Sequence, residues 1–403
     1  MKLSRKLLIL GTVAAAGTAA AVLPMAVSNA AAACAPAWSS SAVYVKDNAA
    51  SQNGHNYTAK WWSQGDSPST HSAQWDVWAD NGVCGGGTTS PTTPPTTPPT
   101  TPPTGPTTPP ATGAKMVAAP YVYPGWGNPP APSTLAGTGV KAFTIAFVLA
   151  ANGCNPVWDG ESGLTGGVHA TYIAQARAAG MDIVPSVGGW SGNKLGPNCA
   201  TPEALAGAYQ KIIDAFQLKS IDIDIENSDE FENAVVQDRV LNALKIVKQK
   251  NPSVKTILTF GTSPTGPNFY GTRLVQQAKA LGANIDIFTQ MPFDFGGGAD
   301  MYGSTVGATE GLKNLLKTTF GYTDAQAYSH IGISGMNGLS DQQELTSVET
   351  WTRIRDYAKS KGLSRFTFWA VNRDRGCAGG GVVSNCSGIA QGDWAFTRIS
   401  AGF

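Results

Sequence analysis

From Ser220 to Glu226 the chain reads Ser-Ile-Asp-Ile-Asp-Ile-Glu, which places a carboxyl group at every second position. Side chains on a β-strand alternate between its two faces, so Ile221, Ile223 and Ile225 go to one side and Asp222, Asp224 and Glu226 to the other. Three ionised carboxylates crowded in a partly desolvated site repel one another, and at least one is expected to hold a proton near neutral pH. A carboxyl kept protonated is a general acid, and Glu226, last on the strand, is best placed to reach a substrate. A divalent cation is the competing use of three acids. It needs further ligands at other strand ends, and with His55 and His71 near the N-terminus only His169 and His330 remain to supply imidazoles. Neither a metal nor a cofactor is expected.

Such a strand needs a scaffold that turns one face into a site. Eight short apolar runs, at 117–123, 142–149, 182–187, 220–225, 255–260, 285–293, 330–334 and 366–370, alternate with amphipathic stretches such as 202–216, 233–250, 270–281 and 348–361. Strand and helix in alternation give a parallel α/β fold, and eight repeats over 115–403 predict a (β/α)8 TIM barrel with its chemistry at the C-terminal ends of the strands.

Charge is scarce: 28 Lys plus Arg stand against 27 Asp plus Glu, and charged residues make up 14% of the 403. A net charge of +1 gives no electrostatic footprint for nucleic acid or an anionic membrane, and favours an uncharged partner. The 42% of hydrophobic residues supply a large core. Residues 1–30 read as a secretory signal peptide, with Lys2, Arg5 and Lys6 ahead of an apolar run and small residues around Ala30 for cleavage. The expected location is extracellular, with no membrane partner after cleavage, and the expected state is a monomer. Export puts the six cysteines in an oxidising compartment. Six cysteines allow 15 pairings, of which proximity along the chain suggests Cys34 with Cys84, Cys154 with Cys199 and Cys377 with Cys386.

Residues 34–84 form a unit too small to hold a large core, yet Trp38, Tyr44, Tyr57, Trp61, Trp62, Trp75 and Trp78 all fall within it. Interspersed Gly, Ser, Asn and Asp suit turns between short strands, which predicts a small all-β module with part of its aromatic set exposed. Exposed rings stack well on the apolar faces of sugars. Residues 85–113 carry Thr-Thr-Pro-Pro repeats with ten of the chain's 26 prolines between Pro91 and Pro110, the composition of a semi-rigid polyproline spacer.

Two resemblances gather these readings. The run from Tyr57 through Lys60-Trp61-Trp62 to Pro68, with Val77-Trp78 and Cys84, resembles the small chitin-binding modules (family 5/12 type) appended to bacterial chitinases. That implies a sugar-stacking surface including Tyr57, Trp61 and Trp62, with Trp38 and Trp78 structural. The second half resembles the family 18 glycoside hydrolases. Asp222-Ile-Asp224-Ile-Glu226 matches their catalytic strand, Ser186-Val-Gly188-Gly189 the third-strand motif, Met291-Pro-Phe293-Asp294 the sixth-strand motif and Trp369 the eighth-strand tryptophan. This implies a retaining, substrate-assisted endochitinase acting on chitin and its oligomers. Glu226 is then acid and base, Asp224 holds the substrate acetamido N–H, Asp222 shares a proton with Asp224, Trp369 forms the sugar floor and Asp294 helps hold the acetamido group, with Met291 beside it. Lys219-Ser220 stands where the longer motif has Asp-Gly, which points to the chitinase D-like branch. Phe293 replaces a tyrosine whose hydroxyl donates to the acetamido oxygen, so Gln290 or Tyr123 is the expected replacement donor. A barrel that binds chitin without cutting it, and an endo-β-N-acetylglucosaminidase acting on N-glycans, remain alternatives. Between 334 and 365 there is no room for an inserted α+β domain, which predicts an open cleft.

Overall fold

The computed structural model describes residues 32–40, 42–45, 47–60, 63, 66–72, 77–85, 115–377 and 382–403. Residues 1–30, expected to be a signal peptide, most of the Thr/Pro segment, Trp61, Trp62 and Trp75 lie outside the described residues. The chain divides into two compact units, Met1–Pro106 and Thr107–Phe403. Among the described residues no helix is long and apolar enough to cross a membrane.

The described part of the first unit is built on a three-stranded antiparallel sheet, Ala49–Gln52, His55–Ala59 and Trp78–Val83. Asn53 and Gly54 both take positive φ and close the tight hairpin between the first two strands. Cys34 is bonded to Cys84. The small core consists of Ala50, Tyr57, Ala59 and Trp78, with Trp38, Tyr44 and Val77 packed against it. This corrects the expectation that Tyr57 belongs to an exposed stacking surface: its ring is 4% exposed. A fifty-residue unit has to fill its centre with some of its own aromatics, and the middle strand gives up Tyr57 to do so.

The second unit is an eight-stranded parallel barrel. In chain order its strands are Tyr121–Val122, Ala142–Ala151, Asp182–Gly188, Ser220–Asp224, Lys255–Gly261, Ile287–Met291, Ile331–Met336 and Arg365–Trp369, each hydrogen-bonded to the next. All eight coincide with the runs read from the sequence. The first is the most shortened, because Pro120 has no N–H to give to a ladder. Its preceding segment still closes the barrel: Met116 N–H donates to Ser364 O at 2.8 Å and Ala119 N–H to Phe366 O at 3.3 Å. An antiparallel strand, Asn155–Trp158, folds back on the second barrel strand.

The helices begin where capping side chains sit. Thr201 Oγ1 accepts from Ala204 N–H ahead of Pro202–Phe216, Asn233 Oδ1 caps Ala234–Lys250 and Asn268 Oδ1 caps Phe269–Leu281. Ile221, Ile223 and Ile225 pack outward into the main core, while Asp222 and Asp224 take the inward face of the fourth strand, as period two requires. Between the seventh and eighth strands lie only a short hairpin, Gly338–Leu339 with Leu345–Thr346, and the helix Val348–Lys361. The disulfides Cys154–Cys199 and Cys377–Cys386 join loops at the C-terminal ends of the strands.

Candidate active site

Asp222 lies at the bottom of the fourth strand's acidic face and is wholly buried. Its Oδ2 accepts from Tyr121 Oη at 2.6 Å and Ser186 Oγ at 2.8 Å, and its Oδ1 from Thr259 Oγ1 at 2.6 Å and Arg365 Nη1 at 2.8 Å. Four donors from the first, third, fifth and eighth strands thus converge on one carboxylate. Arg365 is itself held by Thr259, Thr289 and Thr144. The four donors fill the acceptor positions of Asp222, and none of its hydrogen bonds among the described residues is to Asp224.

Asp224, 3% exposed, faces the same interior, and its Oδ1 has no hydrogen-bond partner among the described residues. Burial first, then the charges of Glu226 and Asp222, hold its carboxyl well above the usual carboxylate range. Its backbone is gripped from the third strand, where Gly189 N–H donates to Asp224 O at 2.8 Å. A Cβ at residue 188 would fall 2.2 Å from that same carbonyl, and Gly188 has φ +110°. Only glycine permits the approach.

Glu226 is half-buried at the end of the strand. Burial pushes it up to about 7; Lys194 works against the rise and Asp294 adds to it. The Lys194 ammonium, 1% exposed, donates to Glu226 O and to Asp229 Oδ1, each at 3.0 Å. Behind it Glu230 is 3% exposed and pushed up to about 8, chiefly by burial.

Asp224 and Glu226 open into a cleft of about 620 Å³ together with Tyr121, Phe147, Met291, Phe293, Asp294 and Trp369. The Trp369 and Phe147 rings are stacked, 5.5 Å apart at 17°. Trp126 and Trp190, 53% and 67% exposed, line the same cleft from the loops after the first and third strands. Asp294 lies between burial, which raises its carboxyl, and the neighbouring Asp341, which raises it further. Among the described residues no three His, Cys, Asp or Glu side chains converge as cation ligands.

Two of the expected substrate residues lie elsewhere. Gln290 is 2% exposed and absent from the cleft lining, with its amide donating to Thr262 Oγ1 at 2.7 Å. The alternation that sends Met291 into the cleft sends Gln290 to the opposite face. Tyr123 packs on Trp369 and Trp126 but is not among the residues lining the cleft. The tyrosine that reaches the carboxylates is Tyr121, two residues earlier and on the inward face. Period two could have found it, and Arg365 too, since Arg365-Phe-Thr367-Phe-Trp369 alternates like the acidic strand. Nothing in the sequence marks Lys194.

The comparisons with known proteins fit this geometry. The chain is 28% identical over 278 residues to a probable bifunctional chitinase/lysozyme of Escherichia coli and 26% identical over 250 residues to endochitinase 11 of Metarhizium anisopliae. The catalytic domain of a hyperthermophilic chitinase from Pyrococcus furiosus superposes with a TM-score of 0.65 at 25% identity, over 72% of this chain and 96% of that one. The chain is chitinase-like in sequence and in fold. The sequence matches cover 64% and 58% of this chain but only 31% and 48% of the two curated relatives. No family model matches. The chitinase-like part corresponds in fold to the barrel, and its acidic strand is the feature on which a function has to rest.

Proposed function

We propose that the barrel is a chitinase that cuts internal β-1,4 bonds between N-acetylglucosamine units with retention at the anomeric carbon. The observation that carries this reading is the pair Asp224 and Glu226: two carboxyls on one strand face, both raised in proton affinity, opening into an aromatic-lined cleft. A carboxyl near 7 is protonated often enough at neutral pH to act as an acid and returns readily to a base. Glu226 gives its proton to the glycosidic oxygen as that bond to the anomeric carbon breaks. The substrate's own acetamido oxygen closes on the anomeric carbon to form an oxazolinium ion, so no enzyme nucleophile is needed. The free Asp224 Oδ1 accepts the acetamido N–H and faces the positive charge that develops there. Glu226 then takes a proton from the incoming water, which opens the ring and restores the acid. Trp369 on Phe147 supplies a flat apolar floor for the sugar.

Chitin and its oligomers are the substrate class that meets these requirements, because the internal nucleophile is an N-acetyl group. The short connection between the seventh and eighth strands supports an open cleft and internal cutting. The reading extends to secretion through residues 1–30 and to a chitin-binding role for residues 34–84, on the resemblance of the Lys60-Trp61-Trp62 run. Hydrolysis of a soluble fluorogenic chitobioside by the wild-type chain, lost in Glu226→Gln with oligomer binding retained, is the expected result. Binding without turnover by the wild type defeats the proposal, and so does full activity of Glu226→Gln.

A further inference from the structure

A lysine ammonium removed from water is costly unless acceptors replace its hydration, and most lysines avoid burial by extending to the surface. Lys194 does not. Its side chain is 1% exposed and ends between the loop after the third strand and the helical turn Asn227–Phe231 that follows Glu226. It donates to the backbone carbonyl of Glu226 and to the carboxylate of Asp229, each at 3.0 Å. Two more bonds tie the same two segments, and a third ties the loop to the helix Ala234–Lys250. Asn227 Nδ2 donates to Trp190 O, Gly196 N–H donates to Glu230 Oε1 at 3.1 Å, and Arg239 Nη1 secures Gly196 O at 2.8 Å. The loop thus reaches the acid at its own main chain, two residues beyond the end of the acidic strand.

We propose that Lys194 is a positioning residue for Glu226: anchored on Asp229, its buried ammonium grips the Glu226 carbonyl, fixes the acid at the cleft mouth and places a cation beside it. The proposal rests on the reading of Glu226 as the acid. The other charged groups around Glu226 are Asp224, two residues before it, Glu230 on the following turn and Asp294 from the end of the sixth strand, with Asp341 and Arg373 lining the same cleft. Arg365 lies deeper, paired with Asp222. Lys194 opposes the rise of Glu226, Asp224 and Glu230 alike. A mere tether between two loops needs no charge; a cation beside Asp224, Glu226 and Glu230 acts on all three.

The test compares Lys194→Met, Lys194→Arg and Asp229→Asn with wild type and Glu226→Gln on a soluble fluorogenic chitobioside across pH. Lys194→Met is expected to move the alkaline limb of the kcat/KM profile upward by about one pH unit and to lower kcat about tenfold with a smaller change in KM. Lys194→Arg restores part of both. Asp229→Asn leaves the ammonium less neutralised and moves the limb downward. A Lys194→Met enzyme with an unchanged limb and a lowered Tm overturns the proposal, because that is what a structural tether predicts. Should Lys194→Met not fold, the direction of the limb in Asp229→Asn decides alone, at a half-exposed site, and an unmoved or raised limb overturns it. Failure of the underlying reading is separate: it appears as a wild-type chain without hydrolysis. The Glu226 carboxyl is then titrated by its infrared band, identified by difference from Glu226→Gln, and the same shifts are required.

Discussion

Arg365 Nη1 stands 2.8 Å from Asp222 Oδ1, and both side chains are wholly withdrawn from solvent. The two residues are 143 positions apart, and their pairing links the last barrel strand to the acidic one through the interior. A buried pair of this kind adds little over well-packed apolar residues, but breaking it strands an uncompensated charge. Arg365→Met is therefore expected to destabilise the barrel by about 3–5 kcal/mol, measured by urea unfolding. The double variant with Asp222→Asn should recover part of the loss. Additive losses in the double variant contradict the pairing.

The position of Glu226 near 7 sets the alkaline limb of kcat/KM on soluble oligomers close to neutrality. Asp294 contributes to that value through its negative charge, which favours the protonated form of Glu226. Asp294→Asn should move the limb to lower pH, whatever it does to the rate. An upward shift in the measured profile rejects this electrostatic relation.

Glu230 makes a prediction about stability. Its folded carboxyl titrates at about 8, above the ordinary value, so the folded state holds this proton after the unfolded chain has released it. A raised carboxyl has the sign opposite to a salt-bridged one: its contribution favours the fold at low pH and is lost as pH rises from the ordinary carboxylate range toward 8. Glu230→Gln keeps an acceptor for Gly196 N–H and removes the titration. It is expected to match wild type near pH 4 and to exceed it at pH 8 by a few kcal/mol in chemical denaturation. Equal stability at both values is the contrary outcome.

The two barrel disulfides close loops of very different length, 45 and 9 residues. By chain entropy, removing Cys154–Cys199 as paired serines costs about 4 kcal/mol, and removing Cys377–Cys386 about 2.5 kcal/mol. Thermal unfolding of the two variants ranks them. The reverse order would mean that native-state effects outweigh the constraint on the unfolded chain.

Much of the site can be read in order along the chain because strands impose a strict period. Ile and Asp alternate from Ile221 to Asp224, and one face packs into the core while the other lines the interior. The same rule, applied strictly, separates Met291 from Gln290 and Tyr121 from the residue after it. Tyr123 and Gln290 are appealing as donors by residue type alone, but Tyr123 packs among Trp126, Phe147 and Trp369 and Gln290 donates to Thr262, and neither lines the cleft. Tyr57 fails as an exposed ring for a different reason: a small sheet has to bury some of its aromatics, and its own composition does not say which.

By itself the sequence determined the eight alternations of strand and helix and the three acids on one face, because each follows from a fixed repeat; the cysteine pairs it only suggested. Tertiary structure decided the proton affinities of those acids. Asp224 is raised by its burial, Asp222 is clasped by donors from four other strands, and Glu226 is held near 7 between Lys194 and Asp294, which are 100 residues apart in the chain. Desolvation and charge act through space, and only closure of the barrel brings these groups together.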